Sequence, residues 1–470
     1  MAANQSIQPS PFLPILLAIA IFMQQLDATI LNTALPAMAI DLGQSPLNMQ
    51  SAIIAYAITL AIMMPLSGFL ADRIGSRKLF MGSMIIFVIG SVLCAASTNL
   101  GLLVVARVIQ GLGGAMLTPV ARLTMMQAYD RSKLITVMNY ALMPALIGPV
   151  LGPVIGGYLI VYTSWHWIFL LNVPIGLLGL ITTWRIMPDF SKTIEHFDGL
   201  GFFLFAASAF CMTLTFETIS HFNNFLFGIL MAAAGIGAMI AYLAHARQNS
   251  LALYPPHLIL VRTFRVGLAG NLVSRLGMSS LPLLLPLLFQ VAFHYDAVTS
   301  GWLLTPLALA SIAAKPFSKP LMNRFGYRNI LTYNTRIIGV LIMLLTLFNA
   351  QSPQWLILLF LSILGACNSV QFTSMNTIIM ADLRPNQVSS GNSLIAVNQQ
   401  LALSFGIAIG ALLLQTFNRM DYFAHNVTNA FRITFIILGV FTFLSSWIFA
   451  RLHRNDGDNL LIRRKVMASH

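Results

Sequence analysis

Apolar runs of about 20 residues, the length that crosses a hydrocarbon core roughly 30 Å thick, follow one another along almost the whole chain. A globular interior takes up one stripe of each helix and leaves the other to water, so it has no place for so many runs that are apolar all round. Charged residues make up only 8% and hydrophobic ones 57%, where a soluble domain carries about a quarter charged. The bilayer is therefore the solvent. Barrel strands would run about ten residues with alternating polarity, and no segment alternates in that way. Helices satisfy every backbone donor and acceptor within their own segment. The expected fold class is an all-α integral membrane protein with about fourteen spans, joined by short connections rich in Gly, Pro, Asn or Asp.

The remaining charges set the orientation. Lys and Arg gather in the connections after the even-numbered spans and in the C-terminal tail. Arg73, Arg77, Lys78, Arg131, Lys133, Lys192, Arg247, Lys319, Arg324, Arg328, Arg384, Arg463, Arg464 and Lys465 are among them. The opposite connections are nearly bare, with Arg419 and Arg432 before the last span. The positive-inside rule then predicts both termini in the cytoplasm, and the expected location is the cytoplasmic, inner, membrane. The net charge of +13 is scattered over separate loops, which argues against a nucleic-acid partner and for the acidic face of the lipid bilayer. Met1 to Pro11 holds no Lys or Arg, so the first run reads as a retained span, not a signal peptide. Cys94, Cys211 and Cys367 each fall inside a span, which suggests packing residues and neither disulfides nor a metal site. Asn426-Val427-Thr428 fits a glycosylation sequon but reads as chance among such short loops.

A repeated pattern divides the chain. Gly68-Phe-Leu-Ala-Asp72-Arg73-Ile-Gly75-Ser-Arg77-Lys78 follows the second span, and Asn323-Arg324-Phe-Gly326-Tyr-Arg328 follows the tenth. The echo predicts two related six-span halves, a common transporter plan. The expected boundaries are 1–190 for the first bundle, 191–260 for a two-helix insert with its linker, and 261–470 for the second bundle and tail.

Three features carry chemistry. In the first loop, Gly68 would admit a close neighbour, Asp72 would cap or pair at a helix end, and Gly75 would allow a tight turn. Arg73, Arg77 and Lys78 could then latch the cytoplasmic face in one state and release it in another, or simply fix orientation. In the fifth span, Gly148, Gly152 and Gly156 share one helix face, which invites close helix packing. Pro149 and Pro153 each remove a backbone hydrogen bond, and Gly157 follows, so this span reads as a hinge or a tight seal between halves. Third, Asp27 and Arg107 lie in the outer halves of the first and fourth spans, which run in opposite directions. Their depths match, and an ion pair is geometrically open to them. A charge at the bilayer centre costs about 2.5–3.5 kcal/mol on insertion scales, so it needs a partner or a wet cavity. Burial works against the carboxylate charge and Arg107 works for it, which makes Asp27 a candidate proton carrier or, alternatively, half of a static pair.

Arg275, in the ninth span, would face a cavity and attract an anionic group, or fill a helix contact. Arg336 would snorkel toward the cytoplasm, and Glu217 would sit at the membrane surface. Gln24, Asn32, Gln110, Asn271, Asn368, Gln371 and Asn398 are further candidates to line a substrate cavity, some of them only to bridge helices. The Phe and Met residues, 32 and 24 in number, would suit an adaptable pocket or face lipid.

At these residues the chain resembles the major facilitator superfamily, and within it the fourteen-span drug:proton antiporter branch and its MdtD-like subgroup. Gly68 to Lys78 is similar to the superfamily's signature loop. Arg107-Val-Ile-Gln110-Gly111-Leu-Gly113-Gly114 is similar to the branch's fourth-span motif, whose Arg is associated with proton coupling. Gly148 to Gly157 is similar to the antiporter motif of the fifth span. Leu26 to Pro36 and Trp165 to Gly176 are similar to its first- and sixth-span signatures. The second loop departs from the pattern, with Asn323 in place of Asp and Lys319 in place of the first Gly. The resemblance implies two six-helix bundles with two inserted helices, alternating access, and export of small organic molecules against an inward flow of protons. An anionic metabolite or metal chelate is an alternative substrate class, given Arg107 and Arg275 against few carboxylates. A non-transporting membrane sensor or scaffold is a further reading. No nucleophile–base cluster suggests an enzyme, no cofactor is implied, and a monomer is expected.

Overall fold

The computed structural model describes residues 10–129, 131–191, 197–222, 225–249, 251–384, 387–420 and 427–460. Lys192, Asn426, Arg463, Arg464 and Lys465 lie outside the described residues, as do the side chains of Arg131 and Lys133. Among the described residues there is no strand. The helices are α1 (Leu13–Asp41), α2 (Gln50–Met63), α3 (Leu66–Ile74), α4 (Ser76–Ala95), α5 (Leu100–Ala128), α6 (Arg131–Tyr162), α7 (His166–Leu170), α8 (Asn172–Ile186), α9 (Gly199–Phe222) and α10 (Phe225–Gln248). There follow α11 (His257–Leu260), α12 (Arg262–Leu287), α13 (Ala297–Phe325), α14 (Tyr327–Leu344), α15 (Gln354–Met380), α16 (Val388–Arg419) and α17 (Val427–Ala450).

Twelve helical stretches among the described residues are long and apolar enough to cross a bilayer. The pair α2 and α3 meets the same test jointly but bends by 59° at its break. The break falls at Met64 and Pro65, where proline lacks the N–H that would continue the helix. α6 runs unbroken for 32 residues through Pro149 and Pro153.

The chain divides into two compact units, Met1–Ser45 with Ser51–Phe197, and Pro46–Gln50 with Asp198–His470. In the first, Leu17, Met23, Phe80, Met84, Phe87 and Leu117 form a buried apolar core around the inner faces of α1, α4 and α5. In the second, Phe264, Leu331, Ile378, Ile379 and Phe449 do the same. α12 buries 72% of its most apolar window and α10 only 17%, so α12 is central in its unit and α10 lies at the rim, its apolar side chains turned outward. α10 packs against α9 at small residues: Gly235 lies against Met212, and Ser208 Oγ donates to the Gly235 carbonyl at 2.8 Å.

A polar clasp ties this pair to the segment that follows. Asp198 caps α9: its Oδ1 accepts from the Gly201 N–H at 3.0 Å and lies 2.7 Å from His245 Nε2, and its Oδ2 accepts from the Leu253 N–H at 3.1 Å. Burial works against the Asp198 charge, but the hydrogen bonds from His245, Gly201 and Leu253 outweigh it and hold the carboxyl below the usual range. Tyr242 donates to the Tyr254 carbonyl at 3.1 Å and accepts from its N–H at 2.9 Å.

Candidate functional site

Asp27 stands at the middle of α1 and Arg107 in the second turn of α5, and the first unit brings them together. Arg107 Nη1 donates to Asp27 Oδ2 at 2.8 Å. The other carboxylate oxygen accepts from Gln110 Nε2 at 2.8 Å and from Asn172 Nδ2 at 2.9 Å. Gln110 follows Arg107 by three residues, so both side chains leave α5 on one face. Arg107 Nη1 also donates to Gln110 Oε1 at 2.6 Å, and Nε donates to the Ala52 carbonyl at 3.3 Å. Its guanidinium lies 4.2 Å from the centre of the Tyr56 ring, within range of a cation–π attraction.

A second ring of contacts fixes the amides. Gln110 Nε2 donates to Ser91 Oγ at 2.8 Å, which in turn donates to the Phe87 carbonyl at 2.9 Å. The Cys94 thiol lies 3.7 Å from Gln110 Oε1, so this cysteine joins a polar network where a purely apolar packing role was expected. Asp27, Arg107 and Asn172 are each 1% exposed and Gln110 is fully buried. The carboxylate is thus compensated by one cation and two neutral donors inside a buried shell. Protonating it would leave the guanidinium without a counter-charge, a loss on the order of 3–5 kcal/mol.

Span five bears directly on this pair. The glycine face of α6 packs on α1 within the same unit. A methyl at Gly148 would come 2.9 Å from Gln25 Cβ, one at Gly156 would come 2.6 Å from Thr33 Oγ1, and one at Gly152 would collide with Thr29 Oγ1. Thr29 Oγ1 also donates to the Gly148 carbonyl at 3.3 Å. Gly157 is buried as well. Gln25, Thr29 and Thr33 flank Asp27 along α1, so α6 rests on the stretch of helix that carries the carboxylate.

In the first loop an acid distant in sequence reaches the start of α4. Gly75 joins α3 to α4 with φ of +104°, a conformation that suits glycine. The acid at the start of α4 is Asp189, from the segment after α8, and not Asp72. Asp189 Oδ1 accepts from the Arg77 N–H at 3.0 Å, while Ser76 and Phe190 exchange hydrogen bonds at 2.9 and 3.0 Å. A carboxylate there complements the positive end of the helix dipole. Asp72, in the last turn of α3, is half-buried, and Arg73 lies 5.7 Å over the Phe69 ring. A methyl added at Gly68 would touch nothing within 4 Å, so close approach is not what this glycine provides among the described residues.

The cavity candidates fall into two groups. In the first unit Gln24 is buried and accepts from Thr118 Oγ1 at 2.7 Å, Asn32 is buried with Oδ1 unpartnered, and Gln110 belongs to the Asp27 shell. In the second unit Gln371 bridges helices: its Nε2 donates to Thr335 Oγ1 at 2.7 Å, and its Oε1 accepts from Asn334 at 3.0 Å. Arg275 and Asn368 line a cavity of about 10 Å³ with Gln371, Phe372 and Thr442, room for about one water. Arg275 stacks on Phe372 at 4.9 Å, and its Nη1 is buried without a partner among the described residues. Asn271, one turn earlier, has both amide atoms buried and unpartnered, and so has Ser279 Oγ one turn later. Phe264 against Gly391 and Leu276 against Gly406 set α12 and α16 in parallel register. That register puts Asn398, whose Oδ1 is also unpartnered, level with Asn271. Arg336 does not snorkel but donates from Nε to Ser446 Oγ at 3.1 Å, between the Tyr333 and Phe443 rings.

Residue-by-residue reading missed Tyr56, Ser91 and Asp189. The first two are neutral residues in apolar runs, with no signal to separate them from packing groups. Asp189 carried one, as the single acid closely following the sixth span.

Solved structures match this fold over nearly its whole length. The POT family transporter PepTSo has a TM-score of 0.70 at 12% identity, covering 94% of this chain and 97% of that one. A D-xylose-proton symporter has a TM-score of 0.68 at 12% identity, covering 94% and 98%. At that identity the likeness is one of fold alone. A Haemophilus influenzae protein that carries the name transport protein HsrA is 39% identical over 446 residues, 94% of this chain and 96% of its own. A Klebsiella pneumoniae protein that carries the name multidrug resistance protein MdtD is 39% identical over 456 residues, 96% of each chain. The profile of the Major Facilitator Superfamily matches residues 17–252 and 267–464. With that profile over most of its length and a helical membrane fold to match, the chain belongs to the major facilitator superfamily.

Proposed function

We propose that this protein is a proton-coupled exporter of small organic molecules, working by alternating access. The observation that carries the reading is the Asp27–Arg107 pair, buried at 2.8 Å and backed by Gln110 and Asn172. Asp27 takes up and releases the proton, Arg107 is its counter-charge, and α6 against α1 relays the change. The name of the Klebsiella relative supports drugs as the exported class. The twelve long helices, the bent α2–α3 pair and α6 together make fourteen spans, with 191–260 as the insert between bundles 1–190 and 261–470. The loop charges support both termini in the cytoplasm and a place in the inner membrane, and the chain works as a monomer. Purified protein in liposomes with an imposed pH gradient tests the reading, with cationic dyes and organic anions offered side by side. Gradient-driven dye movement is expected. Movement of neither class rejects export in favour of a non-transporting membrane protein.

A second reading rests on Arg275. Its buried Nη1, without a partner among the described residues and with Asn271 likewise unpartnered beside it, is a ready hydrogen-bond donor to a carboxylate oxygen. This favours an anionic organic molecule or metal chelate as cargo. Anion movement that Arg275→Gln abolishes, with dye movement absent, selects it.

A further inference from the structure

The second loop keeps most of the first loop's pattern but drops its acid. Asn323 stands where the first loop has Asp72, with Arg324 and Arg328 in the places of Arg73 and Arg77. From Ala297 to Ala381 there is no acidic residue at all, against five basic ones, Lys315, Lys319, Arg324, Arg328 and Arg336. Gly326 makes the turn with φ of +75°, so Arg324 closes α13 and Arg328 opens α14.

Beside this turn, within the second unit, α13, α14 and α15 leave a groove of about 690 Å³. Its wall is apolar, built from Phe317, Leu321 and Phe325 on α13, Tyr333 and Ile337 on α14, and Val370 on α15. Phe317 is 65% and Tyr333 59% exposed, so the groove opens to one side of the bundle. From Ala314 to Phe325 it runs about 17 Å at the helical rise, roughly half the ~30 Å hydrocarbon core. At the loop end Arg324 is exposed, 5.3 Å from the Phe325 ring, and Asn323 Oδ1 is buried without a partner. An apolar trough one leaflet deep, with the exposed Arg324 guanidinium at its end, Arg328 in the first turn of α14 just beyond and no acid among their neighbours in sequence, has the chemistry of an acidic amphiphile's complement.

We propose that this groove holds an acidic phospholipid, its phosphate at Arg324 and Arg328 and an acyl chain along Phe317, Leu321 and Phe325. The occupant is a resident lipid of the surrounding membrane and not cargo. The proposal goes beyond the exporter reading and does not depend on it.

The test uses full-length protein in nanodiscs whose two leaflets hold the same equal mixture of phosphatidylglycerol and phosphatidylcholine with matched chains. Native mass spectrometry reads the lipid retained, and identical leaflets make the answer independent of orientation and of transport. Wild type is expected to retain phosphatidylglycerol in several-fold excess. A basic side chain near an acidic surface contributes a factor of about five, so Arg324→Gln with Arg328→Gln removes the excess. Asn323→Asp gives the second loop the first loop's acid, leaves the groove wall intact, and is expected to cut the preference about fivefold. Arg185→Gln, a basic residue of the first unit, leaves it unchanged. Equal retention of the two lipids by wild type overturns the proposal. So does a preference that survives the loop substitutions, or one that Arg185→Gln lowers as much as they do.

Discussion

Replacing Asp27 by Asn removes one charge and almost no volume, and the geometry makes the consequence calculable. At 2.8 Å the pair's attraction is about 6 kcal/mol with an effective dielectric constant of 20, and removing one partner of a buried pair costs about 3–5 kcal/mol net. The new amide cannot soften this by turning over. One carboxylate oxygen accepts from Arg107 and the other from Gln110 and Asn172, so an NH₂ at either place meets a donor. Gln110 cannot turn to help, because its oxygen is held by Arg107 at 2.6 Å. A proton crossing a membrane potential of 100 mV releases about 2.3 kcal/mol, so the pair's energy is of the size that a proton gradient can drive. We expect gradient-driven flux in liposomes to fall about 100-fold, as a loss near 3 kcal/mol implies, and the detergent melting temperature to drop. Asp27→Asn combined with Arg107→Gln leaves no buried charge, so it should melt above Asp27→Asn while still failing to use the gradient. Wild-type flux in either variant would refute the proton role, and a double variant destabilised by the full sum of the singles would refute the pairing energy.

Gly152→Ala places a methyl against Thr29 and within 3.0 Å of the Ile30 nitrogen, so overpacking on the order of 1–3 kcal/mol should lower the melting temperature and slow transport. Gly68→Ala, whose methyl meets nothing within 4 Å, should leave the melting temperature unchanged in the same assay. Asp198→Ala removes the cap of α9 and its link to Leu253, a loss of about 1–2 kcal/mol readable by thermal melting at neutral pH. Because the Asp198 carboxyl is held below its usual range, its contribution is present above the ordinary aspartate value near ~4 and fades as pH falls through the lower folded value. The gap between wild type and Asp198→Ala should therefore close only in strong acid.

The spans were legible because lipid fixes their length and leaves backbone groups no partner but their own helix. The Asp27–Arg107 contact was legible for a related reason: two opposite charges at similar depth in antiparallel runs have few other places to go. Its shell was not. Gln110 read as a cavity residue, although its three-residue offset from Arg107 put both on one face. Asn172 lay inside a recognised segment with nothing to aim it at Asp27. Close packing at Gly148, Gly152 and Gly156 followed from their period, but period says nothing about the partner, and that partner is α1. Asp72 and Asp189 show the same limit in the first loop. An acid near a helix start suggests a cap, yet the residue that reaches Arg77 comes from more than a hundred positions away, and only tertiary structure chooses between them.

Arg275 poses the converse question, since a guanidinium in mid-span without an acid is a burden that the fold must justify. Insertion scales put that burden at about 2.5–3.5 kcal/mol, and stacking on Phe372 returns about 0.5–2 kcal/mol. The balance remains unfavourable by about 0.5–3 kcal/mol, so Arg275→Leu should raise the melting temperature of the ligand-free protein. A residue that served packing alone would give the opposite sign, because the long side chain fills space beside Phe372 that leucine cannot reach. Arg275→Lys separates charge from shape: it keeps the cation but loses the planar stack and the paired donors that suit a carboxylate. If the anionic cargo binds here, Arg275→Leu abolishes the stabilisation that added organic anions give to wild type, and Arg275→Lys weakens it. Anions that stabilise all three proteins equally would place their site elsewhere, and a ligand-free Arg275→Leu that melts below wild type would make Arg275 a packing residue.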